Sequence, residues 1–231
     1  MKTPIIGLLL TLIAVSGLTQ NLNFSVHGKY THSITKEKLS AAGSMSDIIT
    51  HYPSSWIDRY NSVEISVVGS GNTETAISSN DILTEEQRKM LGSLDFGDEI
   101  VINIGYQHKN SVTHEVENGS LHYSTTVVPD TEAQYSEGYD QLSKYIKGTV
   151  IDKISGEESG NLQQAVVRFT IDETGKVADA YISKSSGNTG IDNLLLDVIN
   201  EMPDWKPASD AQGIQVEQEF EFTVWGSNDG C

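Results

Sequence analysis

The chain has 231 residues, 15 Lys and Arg against 32 Asp and Glu, and a formal net charge of -17 at pH 7. That length accommodates two domains with real cores, and that charge excludes nucleic acid or an anionic lipid surface as the main partner, because both need clustered Lys and Arg. The single cysteine, Cys231, excludes an intrachain disulfide, so packing must supply the stability.

Residues 1–20 read as a secretory signal peptide. Lys2 precedes an apolar run over 5–13, small residues follow at Ala14, Ser16 and Gly17, and cleavage is expected between 17 and 21. The run is short for a membrane span, although an uncleaved anchor is the alternative. A periplasmic, secreted or cell-envelope location follows.

Residues 21–61 form a poorly patterned lead-in. A short strand is readable in Asn21-Leu22-Asn23-Phe24-Ser25-Val26-His27-Gly28-Lys29-Tyr30, and a helical turn over 46–51 stops at Pro53. Residues 35–46 offer little apolar surface to offset the entropy of ordering and read as a mobile lead-in.

Residues 62–129 read as a β-rich domain. A strand begins at Ser62, a turn falls at Gly71-Asn72, and a second strand covers 74–78. Thr84 and Gln87 are spaced as a capping box that opens a short helix closed by Gly92. In the next strand Ile100, Ile102 and Ile104 alternate with Val101 and Asn103, so it is read as central. Asn118-Gly119 is the preferred type I′ dipeptide and predicts a hairpin with Glu117 facing Ser120. That register turns Val112, Val116, Leu121, Tyr123 and Val127 inward and pairs Glu115 with His122 on the wet side.

Residues 130–225 read as a second domain, ahead of a flexible tail at 226–231. Val167, Phe169 and Ile171 share one face of a strand, Gly175 supplies the positive φ of a short hairpin, and a second strand returns. Ile191, Leu194, Leu195, Val198 and Met202 then recur at helical spacing, with Thr189 and Asp192 placed as a capping box. Pro203 and Pro207 flank Trp205, which is read as a plug for the end of the core with its N–H on a carbonyl. In the last strand Phe220, Phe222 and Val224 alternate with Glu219, Glu221 and Thr223. A right-handed crossover sets the strand order second, first, third and leaves the last strand at an edge.

The motif Val167-x-Phe169-x-Ile171-Asp172-x-x-Gly175-x-Val177, followed by Ser185-Ser186-Gly187, Asp192, Met202-Pro203-x-Trp205-x-Pro207-Ala208 and Gly213, resembles the TonB C-terminal domain family. Upstream, residues 132–154 resemble the family's helical lead-in, with Glu137-Gly138 in place of Gly-Gly and no Tyr-Pro after the helix. The resemblance implies a three-stranded antiparallel sheet packed by two helices, in a bacterial envelope domain that grips an extended segment of an outer-membrane receptor by strand addition. The residues that would carry it are Val216, Glu217, Gln218, Glu219, Phe220, Glu221, Phe222, Thr223 and Val224. The long Pro-rich spacer of energy-transducing TonB proteins has no counterpart among the five prolines. Residues 62–129 resemble the β-rich segment ahead of TonB-type domains in BlaR-like membrane sensors, and more loosely the extracytoplasmic β-domains of gliding and secretion machinery.

That comparison motivates a test for zinc. His114-Glu115-Val116-Glu117-Asn118 has the outline of HExxH, but Asn118 replaces the second ligand and the motif lies on a strand. There is no Gly-x-Ser-x-Gly turn and no phosphate-binding glycine loop, and Cys231 has no neighbouring base. The expectation is therefore an α+β chain of two domains, without catalysis, metal or small-molecule cofactor. It binds a protein partner at the last strand, or else self-associates through that strand as a homodimer.

Overall fold

A computed structural model of the protein describes residues 22–30, 32–68, 73–154 and 162–226. The signal-peptide segment, the turn at Gly71-Asn72 and Cys231 lie outside the described residues. The architecture is α+β, with two sheets each covered by helices around its own core.

The described chain opens with β1 (Leu22–Gly28), which belongs to the second domain, and then builds the first. The first domain holds β2 (Ser33–Thr35), α1 (Lys36–Ala41), α2 (Met45–Ile48), β3 (Arg59–Val68), β4 (Thr73–Ser78), α3 (Glu85–Gly92), β5 (Glu99–Lys109) and β6 (Val116–Val128). Its five-stranded sheet has the order β2-β6-β5-β3-β4, with β2 parallel to β6 and the other pairs antiparallel. The central position read for β5 is realised, since Ile100, Ile102 and Ile104 are buried between β3 and β6. The capping box also forms: Gln87 N donates to Thr84 Oγ1 at 3.1 Å and Thr84 N to Gln87 Oε1 at 3.0 Å. The buried Gln87 amide reaches the Val63 and Ala76 carbonyls, tying the helix to β3 and β4.

Two expectations fail in this domain. Residues 35–46 are ordered, because Leu39, Ala42 and Met45 are buried with Ile48 and Ile49 against the β3–β5 face; the core therefore starts at Ile34, not at Ser62. Asn118-Gly119 is not a turn. β6 runs straight through it, and the chain reverses at residues 110–115 instead, with Glu117 opposite His108 and Gly119 opposite Tyr106. Asn110 organises that reversal: its side-chain oxygen accepts Val112 N and Thr113 N, its carbonyl accepts His114 N, and His114 takes φ 60. A Cβ on Gly119 would lie 2.5 Å from the Tyr106 ring, so the glycine is a seat for that ring. Val112 and Val116 are consequently exposed, at 84% and 65%, rather than inward, and His122 bonds Asn103 across the strands at 2.7 Å rather than Glu115.

The second domain holds β7 (Gln134–Tyr135), α4 (Tyr139–Thr149), β8 (Ala165–Ile171), β9 (Val177–Lys184), α5 (Thr189–Asn200), β10 (Trp205–Lys206), β11 (Ala208–Ser209), β12 (Gln215–Val216) and β13 (Gln218–Gly226). Val167, Phe169 and Ile171 of β8 meet Phe220, Phe222 and Val224 of β13 on one face, which Leu142 and Ile146 of α4 and Leu195 and Ile199 of α5 cover. Tyr145 links the two helices, its hydroxyl donating to the Val198 carbonyl at 2.9 Å. The cap of α5 differs from the expected box. Asn188 is the N-cap and accepts from Gly190 N and Ile191 N, while Asp192 turns back to Ser185 Oγ and Ser186 N.

Trp205 is the plug that was expected, edge-on to Tyr135 and Phe169 and tilted against Phe220. Its indole N–H points to Met202 Sδ at 3.2 Å instead of a carbonyl. Gly175 does more than turn the hairpin: its carbonyl accepts Trp205 N at 2.7 Å, and a Cβ there would lie 2.0 Å from the Trp205 carbonyl oxygen. Gly175→Ala meets both that clash and a φ of 83. It should destabilise the second domain by about 3 kcal/mol, read as a lower urea midpoint for the transition that exposes Trp205; an unchanged midpoint contradicts this packing.

Candidate functional site: the rim of the second sheet

The site is built on β13. Its core-facing residues Phe220, Phe222 and Val224 bury against the helices, which fixes Glu219 and Glu221 on the opposite face. Glu221 accepts Arg168 Nε of β8 at 2.8 Å, an interaction that raises the guanidinium above its ordinary value. Glu219 points toward the junction of the two domains, beside a small cavity of about 80 Å³ that Phe96, Gly97, Val127 and Pro129 of the first domain also line.

The rim of β13 is not open, which corrects the expectation of an unpaired last strand. β1 lies along it antiparallel, from Leu22 opposite Gly226 to Gly28 opposite Phe220, and the sheet has four strands in the order β1-β13-β8-β9. The reason lies in the alternation of β1. Leu22, Phe24 and Val26 face the core cluster, with Phe24 edge-on to Phe222, while Asn23 and His27 face water. An apolar strand of matching period supplies both the hydrogen bonds and the cover that the rim otherwise lacks. Val216 and Glu217 also fall outside the rim strand, since Val216 pairs with Ala208 in a separate β11–β12 ladder and β13 starts at Gln218.

Beyond Gly28 the strand is clamped. Lys29 N donates to the Glu219 carbonyl at 3.0 Å, Lys29 Nζ reaches both Glu219 carboxylate oxygens at 2.9 and 2.7 Å, and the Tyr30 hydroxyl donates to Oε2 at 2.5 Å. The Lys29 ammonium also sits 4.9 Å from the Tyr30 ring centroid. Burial opposes the charge on Glu219, but the hydrogen bonds from Lys29 and Tyr30 outweigh it and hold the carboxyl below its ordinary value. Burial likewise opposes the charge on Lys29, and the bond to Glu219 reverses the balance and raises it. Tyr30 is raised by burial and by its bond to Glu219. Neither Lys29 nor Tyr30 was singled out from the sequence. Both fall at the end of the stretch read as a short strand, but nothing local shows that their partner is 190 residues away.

Since Lys29 and Glu219 are a hydrogen-bonded pair of the ladder, Asn23, Ser25 and His27 also direct their backbone groups at β13. The backbone groups of Phe24, Val26 and Gly28 face outward, so β1 is the new rim. Beside it runs a cleft of about 660 Å³ lined by Val26, His27, Tyr135, Tyr139, Leu142 and Trp205.

The other sequence candidates are not brought together. His114 occupies the loop at the tip of the first domain, with Glu117 on β6 paired instead to His108 at 3.7 Å. Among the described residues no group of three or more His, Cys, Asp or Glu is placed to hold a metal ion, and no helix is long and apolar enough to cross a membrane.

Residues 139–224 match the family model for the TonB C terminal. The second domain belongs to that family, whose members are cell-envelope proteins and whose domains are non-catalytic and work with protein partners. No curated protein and no solved structure matches the chain.

The clamp on this TonB-type sheet sets a pH dependence. Because the folded Glu219 lies below its ordinary value of 4.5, its stabilisation of β1 is complete above that value and is lost as pH falls from about 4.5 through the depressed folded value. Lys29 is raised above 10.5, so its share is intact below that value and is lost only in strong alkali. Amide exchange at Asn23, Ser25 and His27, corrected for intrinsic rates, should accelerate on acidification ahead of β8. Glu219→Gln should flatten the dependence; equal acid responses in the two proteins would show that the clamp does not hold the strand.

Proposed function

We propose that this is a non-catalytic binding protein of the bacterial cell envelope, exported by its N-terminal segment. Its TonB-type domain takes an extended segment of a protein partner, such as an outer-membrane receptor in TonB-type transport, onto Gln218–Gly226 in the place that β1 holds. The observation that carries the reading is the β1–β13 ladder itself: the rim accepts an extended segment along its whole length, and the segment found there belongs to the chain's own end. β1 acts as a cis placeholder. Among the described residues it is paired on one side only, and no residue within it is fully buried, whereas Phe220, Phe222 and Val224 of β13 are. β1 is thus more easily released than β13.

Displacement has a quantitative consequence, because apparent affinity falls with the fraction of molecules whose rim is open. Phe24→Asp places a charge against Phe222 and should tighten the apparent Kd for a candidate receptor peptide by about tenfold or more. In the natural chain, saturating peptide should deprotect the amides of Asn23, Ser25 and His27 while those of Glu219, Glu221 and Thr223 stay protected. No change at the amides of Asn23, Ser25 and His27 at saturation rejects displacement of β1.

The cleft beside β1 favours a second reading, in which the partner extends the sheet beyond β1 instead of replacing it. Protection gained at Phe24, Val26 and Gly28 with β1 still in place would select it. A homodimer that exchanges β1 between copies would instead show a concentration-dependent mass by sedimentation.

A further inference from the structure

The resident strand also states what a replacement must look like. Resting on the displacement reading, we propose that the β13 rim selects partner segments by a pattern that β1 spells out: apolar residues at three alternate positions, then a small residue two positions on, then a cation received by Glu219. The site is the vacated rim, its ligand an extended peptide running antiparallel to β13, and Glu219 its specificity-determining residue.

Each element of the pattern has a physical counterpart. Leu22, Phe24 and Val26 stand opposite Gly226, Val224 and Phe222, where the second core lacks cover without them. Gly28 stands opposite Phe220, and a Cβ there would come within 3.3 Å of the side-chain nitrogen of Gln218. Gln218 has little freedom to retreat, because it is buried and its side-chain oxygen accepts Ala133 N at 2.7 Å. Position 28 therefore favours a residue without a side chain. The next residue meets Glu219, whose carboxylate binds Lys29 through both oxygens. Arg168 answers the neighbouring Glu221, so Glu219 is the acidic side chain of this face that draws its cation from the added strand rather than from β8.

A rim that rewarded apolar alternation alone would accept almost any exposed β-segment in the envelope. A half-buried carboxylate at one register position rejects segments that place an acid or nothing there, because the acid is repelled and the empty position leaves Glu219 without its partner. It also fixes register, since a slip by one residue moves the cation to the core face.

The test uses the full chain with Phe24→Ser and Val26→Ser to loosen β1, and a labelled synthetic peptide of residues 22–30. That peptide should bind, and its Lys29→Glu version should bind at least about tenfold more weakly. Adding Glu219→Lys to the protein should invert the preference. Affinities within about twofold for the two peptides would overturn the pattern while leaving strand addition standing. Absence of binding by either peptide, with the Glu219, Glu221 and Thr223 amides exchanging freely, would overturn strand addition and the pattern together.

A second measurement leaves the apolar cover of β1 untouched. Lys29→Glu in the otherwise natural chain should accelerate exchange at Asn23, Ser25 and His27 by about tenfold. Lys29→Glu with Glu219→Lys should restore protection. Unaltered exchange in the single variant, or no recovery in the double one, would show that Glu219 does not read the strand's charge.

Discussion

The antiparallel ladder between β1 and β13 is the constraint on which the second domain's behaviour turns. A sheet ending at β13 would present unpaired amides and carbonyls beside Phe220 and Phe222, both a template for another chain and an incompletely covered core. The chain meets that liability with its own Leu22–Gly28, so two strands far apart in sequence lie side by side. Pairing with β1 removes that template and covers that part of the core.

The same ladder brings the domains together. Immediately after β1 the chain enters β2 of the first domain, and the Lys29–Tyr30–Glu219 cluster lies where that passage crosses the face of the second sheet. Glu37 N also bonds Asp130 Oδ1 across the junction. Movement of β1 is therefore felt where the first domain begins. The first domain has an extensive core of its own, with β5 held on both sides.

Much of this fold was legible. Strands β3, β4, β5, β8, β9 and β13 and helices α3 and α5 follow from period-two and helical alternation, because each such element carries its own solvent and core faces in its residue order. The order β9-β8-β13 follows from crossover handedness. Asn118-Gly119 misled because the dipeptide is as good a seat for the Tyr106 ring as it is a type I′ turn, and Asn110 makes a competing turn through its own side chain. Residues 35–46 misled because short helices with few apolar residues look disordered until Leu39, Ala42 and Met45 are seen to meet a sheet made elsewhere.

The sequence by itself determined that this chain folds as two α+β units, that the second is of the TonB C-terminal type, and that Phe220, Phe222 and Val224 face inward with Glu219 and Glu221 outward. These are local regularities, fixed by which side chains recur on one face of a strand or helix. Only the tertiary structure decided that the rim of β13 is filled, by which segment, and that Lys29 and Tyr30 close on Glu219. Those pairings join residues about 190 positions apart, and hydrogen-bonding capacity at a strand's edge is identical for every sequence, so no pattern within either strand names the other.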